Sequence, residues 1–275
     1  MMPRAVPCLL LLTAAAGLGA EDAREIVRRA AEHDQLNFQS GSNYTYLQRQ
    51  ETRELDHAGQ VKARKIETWQ VTYLDGTPYR RLMGRNDQPL PNEEQKAEQD
   101  RQRWNDERRR MESKEERARR VAEWRRRVDR QRDPVKEVPD AFDFKLLGEE
   151  QWRGRTVYRI DGTPKAGFKP KSQVAAIFPK VNMHLWIDKR DYQGARVEME
   201  VLDSISFGGF VVRLSKGSRL LIEQMPVSDG VWLPSQFSLT ATARILLLKG
   251  LNRELDFKFS DYKPAAADVV ALAKP

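Results

Sequence analysis

From Gln236 to Ile245, polar and apolar side chains alternate without a break. Phe237, Leu239, Ala241, Ala243 and Ile245 stand against Gln236, Ser238, Thr240, Thr242 and Arg244. A strand sends successive side chains to opposite faces, so such a run buries one face and wets the other. The same period of two recurs along the chain. Lys65, Glu67, Trp69, Val71 and Tyr73 share one face against Ile66, Thr68, Gln70 and Thr72. Val197, Met199 and Val201 oppose Arg196, Glu198 and Glu200, and Leu255, Phe257 and Phe259 oppose Glu254, Asp256 and Lys258. Turn signals at Asp56-His57-Ala58-Gly59, Asp75-Gly76 and Asp229-Gly230 separate these runs. The pattern predicts an α+β, mainly antiparallel β chain built on a single curved sheet with one apolar face.

Strands are expected at 44–55, 61–74, 79–84, 142–147, 155–160, 183–188, 196–202, 211–214 and 220–225, besides the runs above. Gly162 to Pro179, with three lysines and three prolines, reads as a basic surface loop. Gly208-Gly209 fits a bulge or strand bend. Ahead of the strands, Ile26, Val27, Ala30 and Ala31 fall on one helical face, which predicts a helix over 23–35 broken by the small and polar residues 37–42.

Residues 92–133 differ in kind: 15 Lys+Arg, 12 Asp+Glu, and neither glycine nor proline. Asn92 and Gln95 suggest a capped start, and Ser113-Lys114-Glu115-Glu116 a second capping box, so the segment is one long helix or two helices hinged near Ser113. Pro134 and Pro139 are expected to end it. Ala97, Trp104, Met111 and Ala118 recur every seven residues, with Val121 and Val128 on a neighbouring row. That narrow seam on a solvated helix suggests a coiled-coil-like contact, either as a lid over the sheet or with a partner.

The first twenty residues read as a cleaved signal peptide. Arg4 precedes the apolar run Leu9 to Ala16, and Gly17-Leu18-Gly19-Ala20 offers cleavage after Gly19 or Ala20. The expected location is the periplasm, with one β domain over 21–275 interrupted by the charged insertion at 92–133. Cys8 is the only cysteine and leaves with the leader, so the mature chain has no disulfide and no thiolate chemistry. With 48 basic and 40 acidic residues the formal charge is +8. For an exported chain that favours an anionic membrane or another envelope surface over nucleic acid.

Chemistry is sparse. His33, His57 and His184 share no metal-ligand spacing, no serine lies in a Gly-x-Ser-x-Gly elbow, and no cofactor motif is present. No catalytic residue, metal or cofactor is therefore assigned. Asp188, Asp191, Glu198 and Glu200 cluster in sequence. They are read either as the wet side of a strand or as the acid/base pair of a hydrolase. Trp186 and Trp232, each beside a turn, suit core packing or the wall of a ligand cavity.

Leu185-Trp186-Ile187-Asp188, then Arg196 leading an alternating strand, then Asp229 to Pro234, resembles the C-terminal half of periplasmic lipoprotein carriers of the LolA/LolB type. Phe142 to Glu150, after an Arg/Glu-rich helix, resembles uncharacterised exported bacterial proteins allied to that fold. The resemblance implies an incomplete β-barrel whose concave side holds apolar chains under helical cover. The forty-residue charged insertion departs from the carriers, and no functional residue is transferred.

Three functions follow from the sequence. The first is a non-catalytic carrier for a lipid, acyl chain or lipoprotein. Trp69, Val71, Tyr73, Trp186, Val197, Met199, Leu239, Ala241, Phe257 and Phe259 would line its cavity. The second is an envelope interaction protein acting through Trp104, Met111, Ala118, Val121 and Val128. The third is the carboxylate hydrolase.

Overall fold

A computed structural model describes residues 22–56, 58–74, 76–207, 212–245 and 251–265. The leader with Cys8, His57, Asp75 and Gly208-Gly209 lie outside the described residues. So do the side chains of Ala243 and Ile245. Helix α1 (Ala23–Gly41) opens the described chain, with Asp22 accepting from Arg24 N at 3.1 Å. Ile26, Val27 and Ala30 are buried, as the helical period requires. The helix does not stop at Gln35. Asn37 turns inward and bonds to the backbone of Trp232, so the polar run that was expected to break the helix anchors it instead.

Strands β1 (Tyr44–Leu55), β2 (Val61–Leu74), β3 (Thr77–Arg85) and β4 (Gln88–Pro89) follow. The two charged helices come next, α2 (Asn92–Met111) and α3 (Lys114–Ala141). They part at Ser113, whose capping box is complete: Ser113 Oγ accepts from Glu116 N at 3.1 Å, and Glu116 Oε2 from Ser113 N at 2.8 Å. The cap expected at Asn92 is not formed; Pro91 precedes the helix and Gln95 Nε2 donates to Leu90 O at 2.7 Å. Pro134 and Pro139 lie inside α3 and do not end it. Each ring removes one helical hydrogen bond. Burial of Pro134, Glu137, Pro139 and Ala141 outweighs that loss. So do the tertiary bonds made by this stretch: Pro139 O accepts from Arg24 Nε at 3.0 Å, and Glu137 from Lys171 N at 2.8 Å and Ser172 N at 3.0 Å.

The second half contains β5 (Phe142–Trp152), β6 (Arg155–Pro164), a 3-10 helix (Ala175–Lys180), β7 (Val181–Asp188), β8 (Gly194–Val201), β9 (Ile205–Phe207), β10 (Val212–Leu214), β11 (Arg219–Ser228), β12 (Val231–Ile245) and β13 (Leu251–Pro264). The stretch expected as a basic loop thus gives its start to β6 and its end to the 3-10 helix, where Ala175 and Phe178 are buried.

All pairings are antiparallel, and the sheet runs β4-β3-β2-β1-β13-β12-β11-β8-β7-β6-β5, with β9 and β10 attached beside β12. Its two ends do not meet, so the sheet is open. Its main core lies where α1 and the 3-10 helix cover β5 to β8. Helix α2 follows the outer edge of β3, which β4 pairs only at Gly84 and Arg85. Glu98 Oε1 accepts from Leu82 N at 3.0 Å and Arg101 donates to Arg80 O at 3.0 Å. Side chains of α2 thereby satisfy backbone groups that a neighbouring strand would otherwise bond.

Candidate functional site: an apolar sheet face and its aromatic cavity

The register assigns every strand residue to one of two faces. Trp69, Val71 and Tyr73 stand on the face of Gln48 and Tyr46, and Gln48 pairs in turn with Phe259 of β13. Phe257 and Leu255 pair with Phe237 and Leu239, these with Ile222 and Leu220, and these with Val197 and Met199. Leu185 and Met183, then Ile160 and Gly162, then Leu146 and Phe144 complete the row. One face therefore carries apolar side chains on every strand from β2 to β5, with Gln48 and Gln50 of β1 set among them.

Only part of that face is closed. On β5 to β8 it packs under α1 and the 3-10 helix, with Val197 and Met199 at the margin of that core. On β11, β12, β13, β1 and β2, the residues Ile222, Leu239, Phe257, Phe259, Tyr46, Trp69 and Tyr73 all remain partly exposed, while Val71 and Ala241 are buried. Where the two parts meet, a cavity of about 120 Å³ opens between the C-terminal half of α1, Arg132 of α3 and the sheet. Tyr46, Tyr73, Phe259 and Tyr262 form its aromatic wall, with the Tyr46 ring 5.2 Å from Tyr262 and 6.0 Å from Phe259. Burial pushes the Tyr46 and Tyr262 phenols well above their ordinary range and raises that of Tyr73. The opposite wall is polar: Arg132 donates to Asp34 O at 3.0 Å and ion-pairs with the Asp34 carboxylate, and Gln224 lies beside them. Burial depresses the Arg132 guanidinium, and the Asp34 carboxylate pulls it back up.

Eight of the ten expected lining residues share the apolar face with a ninth, Ala241, whose partner is Arg253. Trp186 does not. Leu185 pairs with Val197 whereas Trp186 pairs with Arg196, so Trp186 is on the opposite face. There it packs with Val157, Ala195 and Trp232, donates to Glu150 Oε1 at 2.6 Å, and lies under the guanidinium groups of Arg159 and Arg196. Tyr46, Tyr262 and Asp34 were not singled out in the sequence. Tyr262 breaks the odd-numbered alternation of Phe257 and Phe259. A register shift between Thr45 and Leu47, with Asp261 at φ 55°, returns it to the apolar face.

The opposite face is ionic. Glu51, only 3% exposed, accepts from Arg49 at 2.9 Å, Arg53 at 2.6 Å and Arg64 at 2.8 Å. Glu223 is held by Arg153 and Arg196. The carboxylates considered for hydrolysis are held in the same way. Burial pushes Asp188 up, but two bonds from Arg155 and the amides of Asp191 and Arg190 hold it below its ordinary value. Asp191 accepts from Arg155 at 2.7 Å and from Trp232 Nε1 at 3.0 Å; Glu198 pairs with Arg196 and Glu200 with Arg219. Ion pairs of this kind fix a turn and a strand. His184 bonds to Asp161 at 2.7 Å, and His33 lies against Tyr192.

The expected heptad seam divides. Val128 is buried and Val121 meets Gly76, but Ala97 and Ala118 are exposed, as are Trp104 and Met111 at 59% and 86%. Trp104 and Met111 thus do not lie over the sheet.

No protein-family model matches the sequence, and no curated protein matches it. Solved structures similar to the chain include a putative outer membrane lipoprotein-sorting protein domain from Vibrio parahaemolyticus, 10% identical over 90% of this chain and 100% of that one, at a TM-score of 0.34. A LolA superfamily protein from Nitrosomonas europaea is 11% identical over 90% and 95%, also at 0.34. The lipoprotein LppX from Mycobacterium tuberculosis is 10% identical over 90% and 97%, at 0.31. The carrier type that the sequence resembles is among them. At these scores the likenesses are loose, and they say nothing of what this chain binds.

Proposed function

We propose that the protein is a periplasmic carrier that holds an acyl chain of a lipid or lipoprotein on its uncovered apolar face, with no catalytic step. The observation that carries this is the face itself. Five adjacent strands present partly exposed aromatic and aliphatic side chains, with Gln48 and Gln50 of β1 among them, and the row continues into a packed core. Water against such a surface is unfavourable by roughly 25 cal/mol per Å², so an apolar occupant gains by covering it. A dry apolar cavity of about 150 Å³ admits a benzene-sized group. The cavity here, at about 120 Å³, suits the end of a single chain, with the remainder lying along β13 and β12.

A curved sheet, as an incomplete barrel within one domain from residue 21, belongs to the same proposal, and the reach of α3 supports it. Val121 of α3 lies beside Gly76 in the β2–β3 turn, and the helix ends at β5. Twenty residues of helix span about 30 Å. The nine strand spacings from β3 to β5 add up to about 43 Å along the sheet. A bowed sheet with α3 as the chord reconciles the two lengths.

The test is an organic extract of the purified protein, read by mass spectrometry, together with displacement of a fluorescent fatty-acid probe by palmitate. Copurifying acyl lipid and a probe signal abolished by Phe259→Glu are expected. A clean extract with no probe binding would end the proposal.

A further inference from the structure

The cations of this protein are unevenly used. On the sheet, arginines are neutralised: three surround Glu51, two hold Glu223, and Arg155 holds Asp188. On α3 they are not. Between Arg117 and Arg132 there are eight arginines against two acids, Glu123 and Asp129. Arg120 grips Glu112 and Thr77, Arg132 grips Asp34, and Arg117 is half-buried. The other five, Arg119, Arg125, Arg126, Arg127 and Arg130, are exposed, and none has an ion-pair or hydrogen-bond partner among the described residues.

Their spacing gives them a direction. Arg119, Arg126 and Arg130 are seven and four residues apart, which places them on one side of the helix, and Arg127 adjoins them. The row is about 16 Å long. It is also braced, by the Ser113 capping box at one end and by the buried turn at Pro134 to Ala141 at the other. Guanidinium groups bind phosphate in a planar, two-pronged geometry. A row on the outside of a helix has no concave wall to enclose a small ion, so it fits an extended array of phosphates.

We infer that the outer side of α3 is a docking surface for an anionic phospholipid membrane. Attraction of this kind is worth about fivefold in affinity for each basic side chain at the surface, and it weakens with salt. The inference stands apart from the acyl-chain proposal: Phe259→Glu leaves the row untouched and should still dock.

The experiment is sedimentation of the purified protein with phosphatidylcholine vesicles, with and without phosphatidylglycerol. Binding only to the vesicles containing phosphatidylglycerol, reversed by salt, is expected. Replacing Arg119, Arg126, Arg127 and Arg130 together by Gln should weaken it at least tenfold with the melting temperature unchanged. Replacing the exposed Lys62, Lys169, Lys216 and Lys258 by Gln removes the same charge elsewhere and should weaken it much less. If the two variants lose binding equally, net charge alone is responsible and the inference fails. If the wild type does not sediment with phosphatidylglycerol, it fails as well, and the row is left to a protein or polysaccharide partner.

Discussion

The side chain of Asn37 mimics a strand partner for Trp232. Its Oδ1 accepts from Trp232 N at 2.8 Å and its Nδ2 donates to Trp232 O. The residue is 7% exposed, so both backbone groups depend on it. Asn37→Ala leaves them unpaired and should cost about 1–3 kcal/mol, measured by urea unfolding. Asn37→Asp, which keeps the acceptor and loses the donor, should be hardly better.

Glu51 sets an acid limit. Hydrogen bonds from Arg64 first, then Arg53 and Arg49, hold its carboxyl down to about 2 from an ordinary 4.5. The folded value lies below the unfolded one. Its contribution is therefore complete above about pH 4.5 and disappears as the pH falls toward 2. Glu51→Gln should be less stable at neutral pH, and its stability should change less across that acid window. Equal slopes for the two proteins, followed by circular dichroism, would contradict this.

Tyr46 sets an alkaline one. Burial raises its phenol above the ordinary 10.0, so the neutral ring is favoured in the fold and stability declines as pH rises past 10. Tyr46→Phe should flatten that decline. The part of the tyrosinate absorbance that Tyr46→Phe removes should appear only as the protein unfolds.

Trp104 and Met111 should be dispensable for stability. Both are exposed, so Trp104→Ser and Met111→Ser should each stay within about 0.5 kcal/mol of the wild type. A larger loss in the melting temperature would mean that these side chains are covered in solution.

Much of this was legible from one dimension. Alternation in Phe257/Phe259 and in Val197/Met199 is a local property of a strand, and it correctly assigned those residues to one apolar face. Which faces of different strands coincide depends on register, which alternation does not contain. Trp186 is one residue from Leu185, and a single step put it among the arginines. Tyr262 was hidden by the shift near Asp261. Helix ends failed for a related reason: the stop signals at Asn37, Pro134 and Pro139 are local, whereas the contacts that override them come from residues far along the chain, at Trp232, Lys171 and Arg24. The cavity joins α1, α3 and five strands, so no stretch of sequence could announce it.

The way α2 lies along β3 limits how copies of this protein can associate. Growth of a fibre by strand addition requires two receptive rims on every subunit, one to accept and one to offer. Glu98 and Arg101 already occupy the rim at Arg80 and Leu82. A strand arriving at that rim finds these backbone groups already bonded, so fibre growth through it would first have to displace α2.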